Sequence, residues 1–314
     1  MATAVVATSY GGPEVLSLIE VEVPAPGPGE VTIAVRAAGV NPFDYKVYSG
    51  AFGTDPSKLP LRLGLEVSGV VTAVGPDAQG PAGPIAVGDE VIAQVSGGYA
   101  TAVNAKAKST VPKPADVEWK QGAGVLSVGG TAVHLLAATG VGPGDTVLVH
   151  GAAGSVGALA AQLAVQRGAK VIGTASASRH ERLRSYGVEP VEYGPGLADR
   201  VRALAPNGID AALDTVGTDE AVDVSLELVA DRGRIASIVA FGRAATDGFK
   251  VLGMGPGADP GTEIRGNAWR ELLEPLATGK LDLVISKTFP LAEASAAHEF
   301  VRDGHAGGKV ILLP

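Results

Sequence analysis

Cysteine is absent from this 314-residue sequence, and aromatic residues make up only 4% of it. Without cysteine the chain has no disulfide, no thiolate nucleophile, no iron–sulfur cluster and no cysteine-ligated zinc. Hydrophobic residues still reach 46%, so the core must be built mainly from Val, Ala, Leu and Ile. Such a core suits a parallel sheet flanked by helices.

Positive charge is also scarce, since 25 Lys and Arg stand against 33 Asp and Glu and leave a net charge of −8. This balance argues against a nucleic-acid partner, whose phosphates require a basic surface. No stretch approaches the ~18 uninterrupted apolar residues of a membrane span, and the N-terminus lacks the features of a signal peptide. The five histidines, at 134, 150, 180, 298 and 305, show no ligand spacing, so no metal site is predicted. We expect a cytoplasmic protein.

The chain is long enough for two domains, and its first 112 or so residues are predicted to be β-structure. Short apolar runs at 31–35, 67–74 and 91–95 are separated by Gly- and Pro-rich turns, a pattern typical of a small barrel. Residues 39–50 form a polar cluster within this region. The pattern alone favours a solvated loop there.

From about residue 117 the pattern changes to alternating strands and helices. Residues 117–139 predict two helical pieces broken by Gly129 and Gly130. Six strands then alternate with helices, which predicts a doubly wound parallel sheet in the order 3-2-1-4-5-6. Pro190 falls in the third strand, an edge strand in that order, where proline is tolerated. Residues 253–261 predict a loop, 262–278 one helix, and the tail a return to the first domain.

The most informative stretch is residues 146–157, where a buried strand runs into a glycine-rich turn and a helix of small residues. Ala152, Gly154 and Gly157 match the G-x-G-x-x-G spacing with alanine in the first position. This spacing predicts a dinucleotide site, with the diphosphate on free amides at the positive end of the helix. A plain strand–turn–helix is the alternative.

The end of the second strand indicates which dinucleotide is bound. An NAD site places a carboxylate there for the ribose 2′-hydroxyl, but residues 173–179 contain none. Ser176 and Arg179 offer donors that suit a 2′-phosphate, and Tyr193 could add a hydroxyl. NADPH is therefore favoured, the alternative being that Ser178 caps a helix and Arg179 is solvated.

Several short motifs, in this order, resemble the zinc-free quinone oxidoreductase (zeta-crystallin-like) branch of the medium-chain dehydrogenase/reductase superfamily. They are Gly39-Val40-Asn41-Pro42-x-Asp44, Gly64-Leu65-Glu66-x-x-Gly69, Gly88-Asp89-Glu90-Val91, Gly97-Gly98-Tyr99-Ala100, Val111-Pro112-Lys113-Pro114, residues 150–157, Asp214-Thr215-Val216-Gly217 and His305-x-Gly307-Gly308-Lys309-Val310. The resemblance covers essentially the whole chain. It implies an α/β protein with a GroES-like β-barrel catalytic domain at 1–116, completed by 281–314, and a Rossmann NADP-binding domain at 117–280.

Zinc-dependent members of the superfamily carry a cysteine where this chain has Asn41 and a histidine where it has Leu65. Without a Lewis acid to polarise an alcohol oxygen, alcohol oxidation in their style is not expected. The resemblance implies hydride transfer from NADPH to a quinone or an α,β-unsaturated carbonyl. No side chain stands out as a general acid, so the proton that completes the reduction could come from solvent. Two other possibilities are an enoyl-thioester reductase and a low-turnover NADPH-binding protein that is crystallin-like or redox-sensing.

The resemblance also assigns roles to single residues. Those expected to bind the cofactor are Thr131, Gly151, Ala152, Ala153, Gly154, Ser155, Val156, Gly157, Thr174, Ser176, Arg179, Tyr193, Val216, Ile238, Val239, Ala240 and, at its phosphate, Lys309. Those expected beside the nicotinamide and substrate are Asn41, Asp44, Tyr45 and Lys46. Lys46 could stabilise an enolate oxygen or only pair with Asp44. A homodimer through the sixth Rossmann strand is also implied.

Overall fold

The computed structural model describes residues 1–304 and 306–314. His305, part of the last motif above, lies outside the described residues. The chain divides into two compact units, one formed by Met1–Ser127 with Leu272–Pro314 and the other by Val128–Glu271. Each unit is an α/β assembly with its own sheet.

The first unit is mainly β-structure. Its N-terminal strands are β1 (Ala2–Ala7), β2 (Leu16–Val21), β3 (Glu30–Val40), β4 (Leu61–Arg62), β5 (Glu66–Val74), β6 (Gln79–Gly80), β7 (Gly83–Pro84), β8 (Glu90–Gln94), β9 (Ala102–Lys106) and β10 (Thr110–Pro112), with helix α1 (Pro42–Tyr48) between β3 and β4.

Helix α2 (Trp119–Thr139) contains the division between the units. The second unit then continues with β11 (Thr146–His150), α3 (Ser155–Gln166), β12 (Lys170–Thr174), α4 (His180–Ser185), β13 (Glu189–Val191), α5 (Leu197–Leu204), β14 (Ala211–Asp214), α6 (Asp219–Leu228), β15 (Ile235–Ser237), α7 (Phe241–Asp247), β16 (Lys250–Val251) and α8 (Thr262–Asn267).

The remaining elements lie in the C-terminal part of the chain, whose residues from Leu272 onward belong to the first unit. They are α9 (Trp269–Ala277), β17 (Ile285–Pro290), α10 (Ala294–Arg302) and β18 (Lys309–Leu313). Strand β18 pairs antiparallel with β3, with Val310 opposite Val40, and lies within the sheet order β10-β8-β5-β3-β18-β17. The C-terminal strand is therefore an interior strand of the barrel sheet, between β3 and β17.

The polar cluster at 39–50 is not a solvated loop: its first two residues end β3, and residues 42–48 form helix α1. Pro42 stands in the first turn of α1, where its missing N–H costs nothing. The backbone amide of Asn41 donates to the carboxylate of Asp44, and both residues are buried. The loop interpretation was wrong because it counted these side chains as solvated, whereas they cap the helix inside the fold.

The second unit contains the predicted doubly wound sheet. Its order, β13-β12-β11-β14-β15-β16, is the predicted 3-2-1-4-5-6 order, and the paired strands run parallel. Pro190 lies in the edge strand β13, as expected. The carboxyl ends of the strands share one edge, so the turns that follow them are brought together.

Two helix predictions differ from the structure. Helix α2 is continuous through Gly129 and Gly130, because burial along its length compensates for their poor helix propensity. The single helix predicted at 262–278 is instead α8 and α9, which are separated at Ala268.

Helix α2 is also long and apolar enough to cross a membrane by length and composition alone. However, 83% of its most apolar window is buried inside the structure. This burial is typical of a core helix.

Candidate active site

The glycine-rich turn of the second unit follows β11 directly. Gly151 adopts a positive φ of 74°, and its amide donates to Thr174 Oγ1 at 3.0 Å. The Ala152 amide donates to the Thr174 carbonyl, also at 3.0 Å. The turn is therefore held against the end of the neighbouring strand β12.

Two glycines of this turn are glycine for different reasons. A Cβ on Gly157 would lie 2.3 Å from the Gly151 carbonyl oxygen, so helix α3 could not pack on the turn with any larger residue. Gly154 has an extended backbone that any residue can adopt, and a Cβ there would meet only the Gly151 oxygen, at 3.4 Å. Internal packing therefore gives little reason for a glycine at position 154, whereas close approach of a ligand would require one.

Helix α3 leaves its first amides directed out of the turn. Its first hydrogen bond joins the Ala158 amide to the Gly154 carbonyl at 2.8 Å. The amides of Ser155, Val156 and Gly157 precede that bond and have no acceptor within the helix. Together with the helix dipole they form a site suited to a diphosphate.

A buried network organises the next two strand ends. Asp214 Oδ1 accepts from the amides of Val216 and Gly217 at 2.9 Å each, and Oδ2 accepts from Ser237 Oγ at 2.6 Å. Ser237 Oγ in turn accepts from the amides of Val239 and Ala240. Val216 and Val239 are left partly exposed beyond the sheet. The sequence predicted these two valines but missed the Asp–Ser pair that positions them.

The residues expected to meet a 2′-phosphate lie at the ends of β12 and β13. Ser176 and Arg179 are half-buried, and the Arg179 backbone amide donates to the Ser176 carbonyl at 2.9 Å. The Arg179 side chain makes no hydrogen bond or ion pair with another residue in 1–304 or 306–314. Tyr193 is 60% exposed on a turn that Arg200 holds through the carbonyls of residues 192, 194 and 195. Ser178 is not a helix cap, because it pairs with Ser176 instead.

Thr131 lies on α2 and is buried. Its hydroxyl accepts from Arg265 Nη1 at 3.1 Å, while Arg265 Nε donates to His134 Nδ1. His134 Nε2 donates to Asp259, an arrangement that requires a neutral imidazole. Burial lowers the pKa of His134 in agreement with this. The sequence did not identify Arg265, which has no spacing motif.

In the first unit, Asp44 stands at one end of a buried hydrogen-bond chain. Tyr99 donates to Asp44 Oδ2 at 2.8 Å, His298 Nε2 donates to the Tyr99 oxygen at 3.2 Å, and Tyr48 donates to His298 Nδ1 at 2.9 Å. This direction follows from the carboxylate, which can only accept. Burial lowers the pKa of His298 to about 4, so its imidazole is neutral near pH 7. With the one proton on Nε2, Nδ1 is the acceptor for the Tyr48 hydroxyl.

Burial also raises the pKa of Asp44 to about 6, although three donors oppose the shift. Those donors are the backbone amides of Asn41 and Gly64 and the hydroxyl of Tyr99. All face the helix start, so Asp44 holds α1 in place rather than projecting toward a ligand. We therefore regard it as a positioning residue.

Tyr45 and Lys46 are half-buried on α1. Lys46 forms no ion pair with Asp44, whose partners are those just named, and side chains two apart on a helix do not face each other. The alternative that Lys46 only pairs with Asp44 is thereby removed.

Lys309 occupies a place that the sequence did not predict. It is 2% exposed, and its ammonium donates to Asn41 Oδ1 at 2.5 Å and to Glu66 Oε1 at 2.7 Å. Reaching a cofactor phosphate would require it to leave both partners. The phosphate contact stays a prediction, and the observed placement favours another role.

Within residues 1–304 and 306–314, no group of three or more His, Asp or Glu side chains could hold a metal ion. The sequence-predicted cofactor residues other than Lys309 belong to the second unit, and Asn41, Asp44, Tyr45 and Lys46 belong to the first.

Comparison with known proteins places this geometry in a family. Residues 27–141 match the alcohol dehydrogenase GroES-like domain, and residues 186–312 match a zinc-binding dehydrogenase domain. A quinone oxidoreductase of Pseudomonas aeruginosa is 33% identical, with 100% of each chain covered. The chain belongs to the quinone oxidoreductase family. The chain is also 34% identical over 301 residues to a pikromycin polyketide synthase component of Streptomyces venezuelae, in a match that covers 91% of this chain but only 8% of that protein.

Solved structures of family members agree in fold. A mycobacterial protein complexed with NADPH is 31% identical with a TM-score of 0.85, and 100% of each chain is covered. The Escherichia coli quinone oxidoreductase complexed with NADPH is 28% identical with a TM-score of 0.84, covering 99% of this chain and 100% of the other. The predicted GroES-like and Rossmann architecture is confirmed.

Proposed function

We propose that this protein is a reductase that transfers hydride from NADPH to a quinone or an α,β-unsaturated carbonyl without a metal. The observation that carries the proposal is Gly154, where the protein leaves room for a ligand beside the first amides of α3, which have no acceptor within the helix. A bound nicotinamide nucleotide supplies the hydride. The quinone oxidoreductases at 33% identity support the reaction class.

The choice of NADPH over NADH rests on the residues beyond β12 and β13. The Arg179 guanidinium has no internal partner among the described residues, so it is available to a 2′-phosphate. Ser176 and Tyr193 add hydroxyl donors, and no carboxylate stands at the end of β12 to repel the phosphate. The NADPH complexes of two relatives support the same choice.

The chain's own contribution is binding, orientation and charge stabilisation. Backbone groups at 238–240 would fix the nicotinamide carboxamide, and Val216 would line the ribose. Asn41 and Lys46 would donate hydrogen bonds to the oxygen on which negative charge develops when an electron-poor acceptor is reduced. The proton that completes the reduction would come from solvent.

A screen of NADPH oxidation across quinones, alkenals and enoyl thioesters tests this proposal. We expect turnover with quinones or enones that exceeds turnover with thioesters. Tight NADPH binding without oxidation of any acceptor would contradict an enzymatic role and favour a low-turnover nucleotide-binding protein.

An enoyl-thioester reductase is the second candidate. It is favoured by the match to a polyketide synthase component and by a TM-score of 0.85 to the CurK enoyl reductase at 25% identity, covering 99% of each chain. Faster reduction of crotonyl thioesters than of benzoquinone would establish this candidate instead.

We further propose a cytoplasmic homodimer that pairs through β16. This strand is the last of the Rossmann sheet, and an edge strand can extend a sheet into a second copy. Asp259 of the same chain already bonds to the outer side of β16, through the Val251 carbonyl at 2.9 Å and the Gly253 amide at 2.8 Å, so the partner copy would have to displace Asp259 or pair beside it. Sedimentation equilibrium of the wild-type protein, compared with a Val251→Pro variant, tests the dimer. We expect the variant to be monomeric.

A further inference from the structure

Three charged or polar side chains converge where three adjacent strands of the barrel sheet meet. Val40 on β3 pairs with Val310 on β18, so in the same register Asn41 lies opposite Lys309. Ala38 pairs with Val67 on β5, which brings Glu66 opposite Gly39. The register therefore brings Asn41, Glu66 and Lys309 to one level of the sheet.

Two glycines, Gly39 and Gly124, leave the space that this cluster occupies. A Cβ on Gly39 would lie 2.7 Å from Glu66 Oε1 and 2.3 Å from the Ala123 carbonyl oxygen. A Cβ on Gly124 would lie 2.9 Å from Lys309 Cγ. Both glycines are needed for this ion pair to fit.

The contacts fix the carboxamide of Asn41. Lys309 Nζ donates to its Oδ1 at 2.5 Å, and its Nδ2 donates to Glu66 Oε1 at 3.3 Å. Glu66 also accepts from Lys309 at 2.7 Å and, at Oε2, from the Ser127 amide at 2.9 Å. Oxygen and nitrogen of the amide therefore cannot exchange places without losing both contacts. The Asn41 Nδ2 retains a second hydrogen, which takes no acceptor in 1–304 or 306–314.

The cluster also sets how good a donor that second hydrogen is. A cation on the amide oxygen draws electron density from the nitrogen and strengthens its N–H donors, whereas an anion on the other N–H has the opposite effect. The cation contact at 2.5 Å is much shorter than the anion contact at 3.3 Å. Because Coulomb interactions weaken with distance, the cation dominates.

We propose that Lys309 is a positioning residue for the reductase reaction. Through Asn41 Oδ1 it orients and polarises the carboxamide so that the second Nδ2 hydrogen stabilises the oxyanion or enolate oxygen that forms as hydride reaches the acceptor. The inference rests on the proposed function and identifies the donor for that reaction. Burying an ion pair is often no more stabilising than burying apolar residues of similar size, so stability alone gives weak reason for this pair.

The test compares Lys309→Met with the wild-type enzyme on two acceptor classes. Electron-poor quinones need little oxyanion stabilisation, whereas simple enones need more. We expect kcat to fall about tenfold to a hundredfold with enones and no more than about threefold with quinones, while the KM for NADPH is unchanged. Lys113→Met is the matched control, because Lys113 is also a barrel lysine paired with a glutamate, Glu90 at 3.1 Å. It should leave the ratio of the two rates unchanged.

A purely structural role for Lys309 would lower both rates equally, and that result would overturn the proposal. A second readout does not depend on turnover. Asparagine occurs four times in the sequence, so asparagine-selective 15N labelling yields four side-chain amides, and Asn41→Ser identifies one of them. Its proton resonances should move upfield in Lys309→Met, and unchanged resonances would contradict the polarisation. If none of the acceptors supports NADPH oxidation by the wild-type enzyme, the proposed function fails. The resonance shift still decides whether Lys309 polarises Asn41.

Discussion

Two tyrosine-to-phenylalanine changes should differ in cost because the buried chain from Tyr48 to Asp44 has a direction. Tyr99→Phe removes the donor to Asp44 and also leaves the His298 Nε2 hydrogen without an acceptor. A hydrogen bond to a charged group contributes about 1.5–3 kcal/mol, and an unsatisfied buried donor costs about 1–3 kcal/mol. We therefore expect Tyr99→Phe to lower the free energy of unfolding of the first unit by about 3–5 kcal/mol.

Tyr48→Phe is the matched change at the other end of the chain. It leaves only the His298 Nδ1 acceptor without a partner, so we expect a cost of about 1–2 kcal/mol. The two tryptophans lie in different units, Trp119 in the first and Trp269 in the second. Urea titration in a Trp269→Phe background, followed by Trp119 fluorescence, therefore reports on the first unit. Equal costs for the two variants would refute the assigned direction of the chain.

Three further outcomes are expected. Arg179→Ala should raise the KM for NADPH about tenfold to a hundredfold and that for NADH less than about twofold, and equal losses would exclude a phosphate contact. Gly157→Ala should destabilise the second unit by about 1–3 kcal/mol in urea titrations read by Trp269, because its Cβ meets the Gly151 oxygen at 2.3 Å, and an unchanged midpoint would contradict that packing. The lowered pKa of His298 contributes stability that is present above pH 6.5 and lost as the pH falls through about 4. The stability advantage of wild type over His298→Gln should therefore shrink by about 3 kcal/mol between pH 7 and pH 4, and a constant difference would contradict a buried neutral imidazole.

The raised pKa of Asp44 makes the stability change with pH in the opposite direction. Its carboxyl takes up a proton in the folded protein below about pH 6, before the unfolded chain does, so its contribution to stability falls as the pH rises from about 4 to 6. Comparing the free energies of unfolding of wild type and a His298 variant at each pH separates the contribution of His298 from that of Asp44.

Much of the second unit could be predicted from sequence because its signals are local. The predicted alternation of strands and helices is present, for example where strand Ala211–Asp214 lies between helices Leu197–Leu204 and Asp219–Leu228. The strand order also followed, since alternating strands and helices permit few arrangements and Pro190 required an edge.

What sequence could not predict depends on contacts between distant residues. Lys309 and Asn41 are 268 positions apart, and Tyr99 and His298 are 199 apart. No periodicity or spacing brings such pairs together. The register of β3 with β18 does so for the first pair, and the packing of α10 on the barrel does so for the second. The same limit explains why the 39–50 cluster was interpreted as solvated. The predicted domain limits and the individual site roles stay predictions.

A Gly154→Val variant tests whether a nicotinamide nucleotide lies over the turn at Gly154, on which the proposed reaction depends. An extended backbone and room for a Cβ allow the variant to fold. Gly142→Val is the control, since a Cβ there meets nothing within 4 Å. The account predicts that Gly154→Val keeps the wild-type urea midpoint but no longer shows saturable NADPH oxidation with a quinone, while Gly142→Val is unaffected. An unchanged KM for NADPH in Gly154→Val would contradict it.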